Sequence, residues 1–126
     1  MGRVLKLLGL ALILILIVLQ FFQPGKNNAP VDPGLDMLIL VSAPAESAEL
    51  IGKACYDCHS NQTDYPWYSR ISPVSWYLDK HIREGKQELN FSVYGELGKA
   101  DKIGLLADIC DVLDAGTMPL QSYMLL

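Results

Sequence analysis

The sequence predicts an all-α protein: a small helical domain carried behind an N-terminal membrane-spanning helix. Three observations carry this. Leu7–Leu19 is an uncharged, almost wholly aliphatic run. Beyond residue 44 the apolar residues recur at helical spacing, and no stretch alternates as a strand would. With 126 residues, the chain has room for one small domain.

The aliphatic run extends through Gln20 to Phe21 and Phe22. With Val4 and Leu5 it approaches the roughly 17–25 residues that cross a bilayer as a helix. Arg3 and Lys6 precede it, which places the N-terminus in the cytoplasm and everything after Gln23 outside. A cleaved signal peptide is the competing reading. Cleavage wants small residues beyond the apolar core, whereas Gln20-Phe21-Phe22-Gln23-Pro24 is bulky and then proline, favouring an uncleaved anchor over residues 1–22. Without Arg3 and Lys6, the formal net charge of −4 becomes −6 for the exported part. No basic patch or aromatic-interleaved Lys/Arg run appears, which argues against a nucleic-acid partner. An acidic surface suits a basic redox partner.

Residues 23–43 read as a tether, because Pro24, Gly25, Pro30, Pro33 and Gly34 interrupt any periodicity. Within it, Asp36–Val41 is a short apolar stretch, expected as a strand-like segment or as a piece that packs on the domain. The domain is residues 44–126. Ser42 is placed to cap its first helix, with Pro44 in the first turn and Glu46 at the positive end of the dipole. Ala48, Ile51 and Cys55 share one face of that helix. A polar loop, Ser60–Asp64, leads into Tyr65-Pro66-Trp67-Tyr68-Ser69. Ser72-Pro73 starts a second helix, serine as cap, in which Val74, Tyr77, Leu78, His81 and Ile82 recur up to Gly85. After a loop around Asn90-Phe91-Ser92, a third helix runs from about Lys99. Ile103, Leu106, Ile109, Cys110 and Leu113 form its apolar stripe, and Gly116 ends it.

The chemistry lies in Cys55-Tyr56-Asp57-Cys58-His59, a C-x-x-C-H run and the attachment signature of c-type haem. Two cysteines three positions apart can form thioethers to both vinyl groups on one porphyrin edge. The histidine that follows is then carried beneath the iron as an axial ligand, and a small domain keeps its cofactor without a large enclosing pocket. Other readings weigh less. A thiol–disulfide oxidoreductase usually sets C-x-x-C near a βαβ pattern, and none is present. Zinc wants a second ligand pair, for which Cys110 and His81 are a poor half. A structural disulfide stays open in an oxidising compartment.

For the other face of the iron, Met118 in Gly116-Thr117-Met118-Pro119 is favoured, with two helices between it and His59 to wrap the haem. Its bland alternative is a buried gap-filling side chain. His81 is the rival ligand, although a histidine on an apolar helix face is more often a hydrogen-bonded core residue or a propionate partner. An open or water-ligated site is the third reading. Trp67, Tyr68 and Trp76 are expected as core aromatics covering the porphyrin edge, and Cys110 as a buried, inert thiol. Arg70, Arg83 and Lys86 are available to propionates, with surface solvation the commoner role.

From about Ile51 to its last residue, the chain resembles the small haem-binding domain proteins of bacterial envelopes, related in motif to cytochromes c. The resemblance rests on Cys55-Tyr56-Asp57-Cys58-His59-Ser60-Asn61, Tyr65-Pro66-Trp67-Tyr68-Ser69 and Ser72-Pro73-Val74-Ser75-Trp76. His81-Ile82-Arg83-Glu84-Gly85-Lys86, Asn90-Phe91-Ser92, Met118-Pro119-Leu120 and Tyr123 extend it. It implies a cytochrome c-like helical domain with one covalent haem c on Cys55 and Cys58, His59 as proximal ligand and Met118 as the natural distal one. Tyr94 replaces an expected tryptophan, and Lys86 a commoner arginine. The family pattern continues past Leu126 with a histidine and a further helix. The resemblance therefore leaves a chain cut short, or the stretch Met37–Val41 in that helix's place.

The resulting expectation is a single-pass protein of the bacterial inner membrane, its domain in the periplasm, passing single electrons between redox proteins of the cell envelope. No enzyme is expected: Ser/His/Asp, paired-carboxylate and phosphate-loop patterns are all missing from the sequence. The alternatives are a haem-based sensor or ligand-binding module, and a haem-free thiol or disulfide protein.

Overall fold

The computed structural model describes residues 2–124, and it is helical as the periodicity predicts. α1 is Gly2–Leu19, α2 Met37–Leu40, α3 Ala45–His59, α4 Val74–Glu88, α5 Lys99–Asp114 and α6 Gln121–Met124, with 3-10 turns at Trp67–Arg70 and Phe91–Glu96. No strand occurs among the described residues. α1 has a mean hydropathy of 2.5 and no buried residue. By length and composition it is fit to cross a membrane, a property it shares with signal sequences.

Asp36–Val41 resolves as a helical turn. Asp36 caps α2, its Oδ1 accepting from the Leu38 amide at 3.0 Å. Met37 then enters the core beside Tyr56, Phe91 and Tyr94. Tyr56 and Phe91 stack with ring centroids 5.2 Å apart, and the Tyr56 hydroxyl donates to Asp36 Oδ1 at 2.8 Å. The Gly95 amide adds a bond to the Leu35 carbonyl at 2.8 Å.

Two serines do other work than capping. Ser42 has φ +50° and closes α2, not α3: its amide bonds Ile39 O at 3.1 Å and the Ala43 amide bonds Leu38 O at 3.0 Å. That is a Schellman motif with serine in the left-handed position glycine usually takes. Gly116 (φ +65°) closes α5 the same way, through Gly116 N to Leu113 O and Thr117 N to Val112 O. Ser72 is buried, and its hydroxyl meets Ser75 Oγ at 3.1 Å instead of the helix amides.

Ser72 instead receives the end of α1. Gln20 Nε2 donates to Ser72 O at 3.1 Å, and Gln20 Oε1 accepts from Ser72 N at 3.0 Å. Gln23 Nε2 donates to Ser72 Oγ at 3.0 Å, and Trp76 Nε1 to Phe22 O at 2.6 Å. Trp67 and Trp76, expected in the core, are exposed at 78% and 38%. Cys110, expected as buried, is exposed as well. Only Leu105 and Ile109 of α5 reach the core cluster, so Ile103, Leu106 and Leu113 of the stripe remain in solvent.

Removing the Tyr56 hydroxyl leaves a buried carboxylate short of a donor. Tyr56→Phe is expected to cost about 1–3 kcal/mol in denaturant unfolding. Burial and the Asp36 carboxylate push the Tyr56 phenol above its ordinary value of 10. The neutral phenol's contribution is therefore complete below pH 10 and fades as pH rises through the higher folded value, a loss the Tyr56→Phe variant should not show. Ser42→Gly is expected to gain about 1 kcal/mol and Gly116→Ala to lose a similar amount, because only the left-handed backbone is at stake.

Candidate cofactor site

The last turns of α3 carry the two thiols and the imidazole. Helical spacing sets Cys55 and Cys58 on neighbouring turns of one side. The helix stops at Ser60, which is fully buried: its hydroxyl donates to Tyr56 O at 2.7 Å and accepts from the Gln62 amide at 2.9 Å. α4 crosses α3 closely at Gly85, where an added Cβ would stand 2.7 Å from the Cys58 carbonyl oxygen and 3.3 Å from Cys58 Cβ. Glycine is what lets the two helices approach here.

His59 Nδ1 lies 3.2 Å from the Leu89 carbonyl oxygen. A carbonyl only accepts, so this bond calls for a proton on Nδ1; in the neutral ring that tautomer keeps the Nε2 lone pair for a metal. Cys55 and Cys58 are both free and half-buried. Burial pushes both thiols up, and for Cys58 the Asp57 carboxylate and Cys55 push further. Catalytic dithiols are shifted the other way.

Beside Cys58 opens a cleft of about 670 Å³, lined by Pro66, Tyr68, Leu78, Ile82, Leu120 and Tyr123 among others. Its size falls in the roughly 300–1,000 Å³ range of small-molecule and cofactor sites. Of the candidate haem ligands singled out from sequence, Cys58 and His81 line it, as do Trp67 and Tyr68, the aromatics expected at the porphyrin edge. His81 Nδ1 sits 2.8 Å from Tyr77 O, with the two rings 4.2 Å apart between centroids. Cys55 packs against the core cluster, and His59 lies near Phe91 at 6.2 Å between centroids. Met118 is outside the cleft lining, in the turn after α5 and partly in solvent. Arg83 pairs with Asp79 at 2.9 Å, and Lys86 donates to the Asn27 carbonyl.

Asp57, a mere spacer by sequence, ties the surroundings to the motif. Its Oδ1 accepts from the Asp64 amide at 2.8 Å, and its Oδ2 lies 2.7 Å from the Tyr123 hydroxyl. Tyr123 is also 2.8 Å from Lys53 O, so the C-terminal turn is held across α3. Sequence reasoning missed Asp57, Leu89 and Gly85 as site residues. Gly85 was read as the end of its helix, whereas α4 runs on to Glu88 and the glycine serves the crossing; Leu89 acts through its backbone.

The donor types fit a covalently held haem: two free thiols on neighbouring turns followed by an imidazole, with an apolar cleft that borders Cys58. Among the described residues, no three His, Cys, Asp or Glu side chains are grouped so as to hold a metal ion by themselves. A family model described as a haem-binding domain matches residues 14–126. No curated protein and no solved structure matches the chain.

Gly85→Ala tests the helix crossing. Its Cβ meets backbone, so α3 and α4 must separate, and the expected cost is about 1–3 kcal/mol in unfolding. Covalent cofactor per chain, read by intact-mass spectrometry, should fall with it.

Proposed function

The chain belongs to the haem-binding domain family, and we propose that it is a membrane-anchored c-type haem protein passing single electrons on the periplasmic face of a bacterial inner membrane. The observation that carries this reading is the end of α3, where Cys55 and Cys58 precede an imidazole whose Nδ1 is held by Leu89. When bound, haem supplies an iron that gains and loses one electron. Each thiol would add its sulfur and its hydrogen across one vinyl group, with nothing lost. His59 would offer Nε2 to the iron. For the opposite face, the family resemblance favours Met118, whereas His81 is the one of the two that lines the cleft.

The remaining residues hold and shield. Tyr68, Leu78 and Ile82 give the cleft apolar walls, and the Asp57–Tyr123 contact fixes the C-terminal turn beside it. The apolar α1, uncharged from Leu7 to Leu19, supports anchoring. The acidic exported part favours encounter with basic redox proteins of the envelope. We read the protein as an electron carrier and not an enzyme, since the sequence offers no catalytic constellation.

Visible spectra of the full chain, made with haem-attachment machinery, test this. Sharp reduced bands with a weak far-red methionine–iron band on oxidation are expected if Met118 ligates. A low-spin spectrum without that band assigns His81. A high-spin spectrum that binds carbon monoxide on reduction points to a sensor. Cys55→Ala with Cys58→Ala should abolish covalent haem; an unmodified intact mass for the parent chain would overturn the proposal.

A further inference from the structure

Ile71, Trp76, Phe21 and Phe22 are all exposed, at 41%, 38%, 83% and 64%. Ile71 and Trp76 lie outside the lining of the cofactor cleft, so haem in that cleft would not cover them. The four are brought together by the bonds that join Gln20, Phe22 and Gln23 to Ser72 and Trp76. Those bonds fix this face of the domain at the C-terminal end of α1.

Next to it lies a smaller hollow of about 270 Å³, lined by Lys26, Tyr65 and Arg70 among others. Lys26 Nζ stands 5.2 Å over the Tyr65 ring. Asp79 also lines this hollow but is engaged by Arg83. Two cations thus gather at the foot of the apolar helix, in an exported part that is otherwise acidic. Aromatic rings together with Lys and Arg at the end of an apolar helix are the pattern of a bilayer interface. Large apolar side chains left exposed beside a membrane-spanning helix mark a contact surface.

We propose that this face is a lipid-contacting foot: Ile71 and Trp76, with Phe21 and Phe22, sit at the headgroup–acyl boundary, and Lys26 and Arg70 face lipid phosphates. The proposal rests on the membrane-anchored reading above. Trp67, Val74 and Tyr77, exposed in the same stretch, also line the cofactor cleft, so the rim of the cleft borders the bilayer.

The test uses the haem-loaded full chain in vesicles of phosphatidylethanolamine and phosphatidylglycerol, in a Cys110→Ser background. Nitroxides are attached singly through Ile71→Cys, Ile13→Cys and Ile103→Cys. Collision with oxygen, which concentrates in lipid, is compared with collision with a water-soluble nickel chelate. The oxygen-to-nickel ratio at position 71 is expected to be several-fold above that at 103 and to approach that at 13. A ratio at 71 equal to that at 103, with 13 still in lipid, overturns the foot and leaves the anchor standing. A label at 13 in water, or lost by cleavage, overturns the anchoring and the foot with it. A label at 71 shielded from both reagents and broadened by a neighbour assigns the face to a second copy and overturns the lipid contact. Should labelling at 71 abolish the haem spectrum, brominated lipid reads the unmodified chain, whose only tryptophans are Trp67 and Trp76. Quenching supports the foot, and its absence overturns it.

Discussion

A carboxylate taken out of water must have its oxygens occupied, and the domain is organised round one that meets this demand. Asp36 is 4% exposed. It accepts from the Leu38 amide and the Tyr56 hydroxyl, with Gln62 Nε2 at 3.4 Å from its other oxygen. Through Tyr56 it binds the segment before α3 to α3 itself, and the Tyr56 ring, stacked on Phe91, binds the stretch after α4. One residue thus gathers three pieces of chain that are far apart in sequence. The crossing of α3 with α4 at Gly85 is where Cys58 meets the cleft.

The same helix carries support for the motif at both ends of its last turns. Leu89 fixes which nitrogen of His59 holds the proton, and Asp57 recruits the 60–64 loop and the C-terminal turn. Such outer contacts orient a ligand before any metal arrives. They are made by a backbone carbonyl and by a residue inside the C-x-x-C spacing, so the motif residues are positioned by groups that are not themselves ligands.

How much of this is legible in the sequence depends on whether the cause is local. α3, α4 and α5 announce themselves through 3.6-residue periodicity, and the C-x-x-C-H run through a spacing that would suit covalent haem attachment. Ser42 and Ser72 look like caps because serine before an apolar run usually is one. Their roles were decided elsewhere: by the end of α2 in one case and by Gln20 in the other. The α5 stripe shows that periodicity reports an apolar face without reporting what covers it. His59 and Leu89 are 30 positions apart, and a bond to a carbonyl has no residue signature at all.

The paired bonds between Gln20 and Ser72 bear on reach. A free polar linker of about a dozen residues would let a domain wander on the order of 20 Å from its attachment point. Here the chain leaves α1 and is caught at once, so residues 23–35 form a loop closed at both ends and not a leash. On the proposed anchoring, the domain does not swing out to collect partners. Its encounters are set by lateral diffusion of the whole molecule, a two-dimensional search in which orientation is fixed before contact.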